Sequence, residues 1–242
     1  RGNLFGSARA ARPRQWGSIR VSAQTPVVTY AIIGVCVALW VGDILTKGVI
    51  TQYLGFTPIH GLYQPWRILT TAFLHVNLMH IAFNMVSLYA IGRALEPALG
   101  RGPYFCLYLL SALGGTLGVL GWVLIDPSSA LTVTVGASGA IFGLFGSVFV
   151  LQRAAGIDVR AVVGLLAVNL LYGFIVSGVS WQAHLGGLIF GMLATWGMLA
   201  LGKPRSGMTA KKQRRRLYLG IAGMFLAELV ILVVTYMVLL NI

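Results

Sequence analysis

Apolar residues fall into seven runs, at 26–41, 72–90, 104–124, 138–151, 161–176, 181–200 and 218–240, separated by basic, Gly/Pro-containing or mixed segments. Runs of this length and character predict membrane-crossing helices, and their number predicts an all-α polytopic membrane protein. The stretch 42–67 mixes apolar and turn residues and reads as a long amphipathic connection. A Lys/Arg-rich segment from Lys203 to Arg216 divides a six-helix body from an appended helix. The expected organisation is a basic tail at 1–24, a six-helix core at 25–201, a basic linker at 202–216 and a seventh helix at 217–242.

Composition sharpens this picture. Of 242 residues 57% are hydrophobic and 10% charged, against roughly 25% charged in an ordinary soluble domain. One soluble core cannot hide that much apolar surface, and disordered chains are poor in hydrophobes, so both classes are excluded. The 18 Lys and Arg against five acids give a net charge of +13. These basic residues cluster at the ends of the apolar runs, as membrane orientation requires, and nucleic acid is not expected as a partner. With the amino terminus in the cytoplasm, sixteen basic residues fall inside and only Lys47 and Arg67 outside. That bias places the carboxyl terminus outside, and the 203–216 segment on anionic lipid headgroups. The apolar run after the acid-free tail shows no convincing cleavage site and is long enough to span, so the tail is not expected to be a signal peptide. A bacterial plasma membrane is the expected location, with a mitochondrial or plastid origin left open by the Arg-rich tail. Cys36 and Cys106 lie within apolar runs and read as small buried hydrophobes.

Three segments place polar groups where hydrocarbon offers no solvation, and such residues are functional candidates. In the second run His80 and Asn84 are four apart and share a helix face, whereas His75 is expected to point away from His80. A hydrogen-bonded pair holding the bundle together is the other reading of His80 and Asn84. Ser138 opens a run of about 14 residues, ~21 Å of helix against a ~30 Å hydrocarbon core. It is therefore expected at a helix start inside the membrane, beside unpaired N–H groups and the positive end of the helix dipole. Gly139, Gly143 and Gly146 follow at i, i+4 and i+7. Across from them, Gly187 and Gly191 lie below His184 on its own face. Two glycine stripes invite face-to-face packing, which would bring His184 Nε2 within reach of Ser138 Oγ.

The inventory narrows the chemistry. No H-E-x-x-H is present and no carboxylate neighbours the histidines, so a zinc site is not expected, and Asp43, Asp126 and Asp158 lie at run ends or in loops, unsuited to an intramembrane aspartyl dyad. A serine nucleophile with a histidine base remains, needing no metal or cofactor. Phe142, one turn after Ser138, can stack on the imidazole, and Asn84, His80 and the Ser138 amide are candidate oxyanion donors.

In combination, Trp66-Arg67, His80-x-x-x-Asn84, Gly92-x-x-x-Glu96-x-x-x-Gly100, Gly136-x-Ser138-Gly and Ala183-His184-x-x-Gly187 resemble the motifs of the rhomboid family of intramembrane serine proteases, over about residues 26–201. The resemblance implies a six-helix bundle with a short central fourth span, here with an additional carboxyl-terminal helix. It implies Ser138 as nucleophile, His184 as base, and His80, Asn84 and the Ser138 amide as the oxyanion hole. Phe142 would stack on the base, and Trp66 and Arg67 would structure the first outer loop. Glu96, Gly139, Gly143, Gly187 and Gly191 would serve the architecture. The implied partners are the lipid bilayer and single-span proteins cut near the outer side of the bilayer. An inactive relative that binds transmembrane clients is the alternative. Glu228 falls outside the shared core and is expected to make a polar packing contact facing the bundle.

Overall fold

The computed structural model describes residues 15–16, 19–20, 25–176 and 178–241. Except for a two-residue antiparallel pairing of Gln15–Trp16 with Ile19–Arg20, the basic tail expected at 1–24 lies outside the described residues. Seven principal helices follow: α1 (Val27–Leu45), α5 (Leu78–Leu99), α6 (Arg101–Val123), α7 (Ser138–Ala154), α8 (Arg160–Ile175), α9 (Trp181–Gly202) and α10 (Ala210–Leu239). Three short helices, α2 (Val49–Leu54), α3 (Pro58–Gly61) and α4 (Arg67–Thr70), lie between the first two. The expected amphipathic connection at 42–67 is thus a folded loop domain in miniature. Five of the principal helices are long and apolar enough to cross a membrane; α7 and α8 are shorter. The chain is a multi-pass integral membrane protein.

The outward faces are apolar. Val37 and Val41 on α1, Phe83 and Val86 on α5, Leu171 on α8, Trp196 on α9 and Val233 on α10 are all exposed. A soluble protein rarely presents so much contiguous apolar surface, whereas lipid tails match it. The most enclosed element is α6, with fifteen of its 23 residues buried. The fourth span α7 is also central, and its length of 17 residues corresponds to ~25 Å of helix, still short of a ~30 Å core. Shortness is shared with α8, which buries only Val162 and Gly173. Position, not length, distinguishes α7.

Several expected boundaries move, each for a local reason. The second helix starts at Leu78 rather than 72, because the Asn77 side chain accepts the His80 N–H at 2.8 Å and caps it there. His75 therefore lies in the loop before the helix. The last helix starts at Ala210 rather than 217, capped by Thr209 Oγ1 accepting from Lys212 N. Much of the expected linker at 202–216 is its first two turns. From there Gln213 Nε2 donates to Gly202 O and Arg216 Nη2 to Ala200 O, which satisfies carbonyls at the end of α9.

A carboxylate ties the first two long helices together. Buried Glu96 of α5 accepts from Val28 N at 2.9 Å, Thr29 N at 2.8 Å and Thr29 Oγ1 at 2.8 Å. Those are first-turn groups of α1, where unpaired N–H donors and the helix dipole favour a negative charge. Gly92, one turn before Glu96, leaves room for Thr29 and the Tyr104 hydroxyl. Gly100 joins α5 to α6 alone, at φ 85°, a conformation that side chains resist. Replacing Glu96 by Ala orphans the Val28 and Thr29 N–H groups, while Thr29 Oγ1 keeps Tyr104 OH as a partner, and the variant is expected to lose about 2 kcal/mol or more. Thermal unfolding in detergent measures this; Glu96→Gln, which retains an acceptor, should lose less.

Candidate active site

The site begins with two helices in backbone contact. A Cβ on Gly187 of α9 would overlap Gly139 O of α7, and one on Gly191 would overlap the Gly143 main chain. Lipid tails supply no hydrophobic force between helices, so van der Waals contact of this closeness is what holds such a seam. A second seam joins α9 to α6: Gly118 faces Gln182 O and Gly186 Cα, and Gly186 faces Gly114 O. Gly115 sits over Ala183 O and Gly139 Cα, where all three helices meet. The sequence reading missed Gly114, Gly115, Gly118 and Gly186; the G-G-x-x-G spacing at 114–118 is the signal that could have revealed them.

At one end of these seams stand Ser138, first residue of α7, and His184, in the first turn of α9. The His184 ring stacks on Phe142 with centroids 4.1 Å apart and planes at 11°. Its Nδ1 edge faces α8, where a Cβ on Gly173 would lie 3.4 Å away, and Nδ1 has no hydrogen-bond partner among the described residues. Nε2, on the opposite edge of the ring, faces away from α8. Ser138 is half-buried, and among the described residues no hydrogen bond joins it to His184. Below Ser138 no side chain caps α7, and the N–H groups of Ser138, Gly139 and Ala140 point out of the helix start without acceptors among the described residues.

His80 closes the other side. A Cβ on Gly136 would stand 2.8 Å from His80 Nε2 and 3.6 Å from Ser138 Oγ, so the two side chains flank this glycine. Gly136 has φ 135°, so both space and conformation exclude a side chain. Asn84 Nδ2 donates to His80 O at 2.8 Å, back along its own helix, and Asn84 is buried. His75 does not point away from His80. Freed from the helix, its buried ring packs edge-on against His80, centroids 5.0 Å apart.

The loop domain sets where this end of α7 lies. Arg67, despite its charge, is buried, donating to Gly55 O at 2.7 Å and to Gln64 Oε1. Neighbouring Trp66 is exposed on one face and donates to Tyr53 O. Phe56, fully buried, exchanges two backbone hydrogen bonds with Thr134 (3.1 and 2.7 Å). Thr71 Oγ1 donates to Thr134 O, and Gly136 N donates to Thr71 O at 3.0 Å. From below, Tyr108 OH bonds Ala72 O and Thr116 Oγ1 bonds Ile68 O, each at 2.9 Å. The central helix α6 therefore holds the loop, and the loop holds the residues leading into Ser138. A cleft of about 550 Å³ lined by Val28, Ile32, Phe73 and Phe105 lies between α1 and α6, away from Ser138. Among the described residues no three His, Cys, Asp or Glu side chains gather into a group that could hold a metal.

A family model for the Rhomboid domain matches residues 63–201, more than half of the chain and α5 to α9 apart from the last residue of α9. The chain belongs to the rhomboid family. Among similar proteins, "Rhomboid protease GluP" of Bacillus subtilis (strain 168) is 34% identical over 155 residues, 61% of this chain and 28% of GluP. "Putative rhomboid protease YdcA" of the same organism is 35% identical over 184 residues, 71% of this chain and 87% of YdcA. "RHOMBOID-like protein 4" of Arabidopsis thaliana is 32% identical over 189 residues, 72% of this chain and 45% of that protein. The chain thus spans less than half of two of these rhomboids and most of the third. Its family is one of intramembrane proteases.

The glycine seam makes a sharp distinction between positions. Gly187→Ala forces α7 and α9 apart and is expected to cost about 2–3 kcal/mol. Gly121→Ala, on the same scaffold with open space around it, should be neutral or stabilise by up to ~1 kcal/mol through helix propensity. Thermal midpoints of the two purified variants decide the comparison.

Proposed function

We propose that this rhomboid is an active intramembrane serine endopeptidase that cuts transmembrane segments of single-span proteins with a Ser138–His184 dyad. The observation that carries the reading is the convergence, at one end of the α7–α9 seam, of a half-buried hydroxyl, a ring-stacked imidazole and an uncapped helix start. His184 Nε2 takes the Ser138 proton as Oγ attacks the scissile carbonyl, then delivers it to the leaving amine. Water then enters and hydrolyses the acyl-enzyme by the reverse proton path. Among the described residues no carboxylate orients the ring, so stacking on Phe142 and packing against Gly173 would do so. The hydroxyl–imidazole hydrogen bond would form as substrate binds, since such bonds are often long in unliganded sites.

The developing oxyanion would meet the Ser138 N–H at the positive end of α7, with His80 and the second amide hydrogen of Asn84 as further donors. Asn84 would have to turn from His80 O or share its donors to take part. A helical peptide bond is closed to attack, so the substrate must unwind near the cut, which favours small and helix-breaking residues there. On this reading the loop domain and the dyad lie toward the outer side, the basic turn at 203–216 lies in the cytoplasm, and the carboxyl terminus lies outside. The location would be a bacterial plasma membrane.

The test is proteolysis of single-span reporter proteins in liposomes, together with fluorophosphonate labelling. Ser138→Ala and His184→Ala are each expected to abolish cleavage, and Ser138→Ala to abolish labelling. Phe142→Leu, which removes only the stacked ring, should lower kcat about tenfold while leaving the fold intact. Cleavage retained by either dyad variant removes the mechanism. A folded wild-type chain that binds reporters but neither cuts nor labels would be an inactive member of the family.

A further inference from the structure

Helix α10 lies outside residues 63–201 matched by the family model, yet its last turns close on the loop domain. Its inward face is Ile221, Glu228, Leu232 and Tyr236, all buried. Leu232 and Tyr236 pack into one cluster with Phe56, Ile68, Leu113 and Leu117. The Tyr236 hydroxyl donates to Pro58 O at 3.0 Å, across 178 residues of sequence. It also fills the space that a side chain at Gly61 would need, so the glycine and the hydroxyl are complementary. A buried tyrosine hydroxyl must find an acceptor, and this one finds it in the first turn of α3.

The path from that hydroxyl to Ser138 is short and runs through the main chain. Pro58 is two residues from Phe56, which pairs with Thr134. Thr134 O is held by Thr71 Oγ1, and Thr71 O by Gly136 N. Gly136 is two residues from Ser138 and separates it from His80. Each link fixes a carbonyl, and so the course of the backbone.

We propose that Tyr236 is a positioning residue: by clamping Pro58 it holds the loop domain against residues 134–136, and through them sets the Ser138 hydroxyl and amide against His184 and His80. The seventh helix is then part of the working site and not an appendage to it. The activity readout rests on Ser138 being the nucleophile; the structural readout does not.

The experiment uses the full chain in detergent micelles and compares wild type, Tyr236→Phe, Gly61→Ala and Ile221→Ala. Three quantities are read: the second-order rate of Ser138 labelling by a fluorophosphonate, the thermal midpoint, and hydrogen–deuterium exchange in peptides covering 54–58 and 132–136. Tyr236→Phe keeps the ring and loses one hydrogen bond. It should label about three to tenfold more slowly, with faster exchange in both peptides. Gly61→Ala, whose methyl would press on both the Tyr236 hydroxyl and the Phe56 ring, should slow labelling and speed exchange at least as much. Ile221→Ala loosens α10 at its far end, so it should lower the midpoint more than Tyr236→Phe does while labelling and exchanging at the wild-type rate. Labelling and exchange unchanged in Tyr236→Phe and Gly61→Ala would overturn the proposal. So would a slowing in all three variants that follows the midpoint alone. If wild type itself is not labelled, the nucleophile reading falls, and the exchange of Tyr236→Phe still decides the clamp.

Discussion

The close passage of α7 and α9 is the constraint on which the rest of the molecule depends. Ser138 opens one helix and His184 lies in the first turn of the other, and the two backbones approach to the limit that atoms permit. Gly139, Gly143, Gly187 and Gly191 permit it by having no side chains. In hydrocarbon this contact is held by dispersion over a long, matched surface, not by expulsion of water. The α6 glycines extend the surface to a third helix, which explains why α6 is the most enclosed element.

A second problem is solved by the loop domain. Irregular backbone at membrane depth is tolerated only when its polar groups are satisfied within the protein or by a water-lined cavity. Here Arg67, Thr70, Thr71, Tyr108 and Thr116 each donate to a main-chain carbonyl of residues 54–72 or 134. The Phe56–Thr134 pair closes the remaining gap. The uncapped start of α7 stands out against this thorough pairing. The loop carbonyls of Leu54, Gly55, Ile68, Thr71, Ala72 and Thr134 are matched, whereas the first N–H groups of α7 are left open among the described residues.

Not every buried polar group is accounted for. His75 has both ring nitrogens unpartnered among the described residues, as do Ser111 Oγ and Ser147 Oγ. Glu228 faces the bundle as its sequence position suggests, but its Oε2 finds no partner there. Such groups cost stability in a low-dielectric interior. Glu96 is the opposite case: a buried carboxylate whose oxygens take three donors and so lock two helices together.

The seven apolar runs, the spacing of the small residues on α7 and α9, and the placement of Ser138 at a helix start were all legible in the amino-acid order. Each follows from a period or a composition that acts locally, over one or two turns. The stacking candidate Phe142 was legible for the same reason, since one turn fixes its face. What could not be read were contacts between segments far apart in the chain: the Phe56–Thr134 pair, the choice of α9 as the partner of the α6 glycines, and Tyr236 reaching Pro58. His75 was misplaced because an Asn77 cap, not hydrophobicity, decides where α5 begins. Periodicity tells which face of a helix is buried. Which neighbour covers that face is decided only when all the helices pack at once, because in lipid many apolar surfaces are equally acceptable partners, and steric fit together with a few buried hydrogen bonds chooses between them.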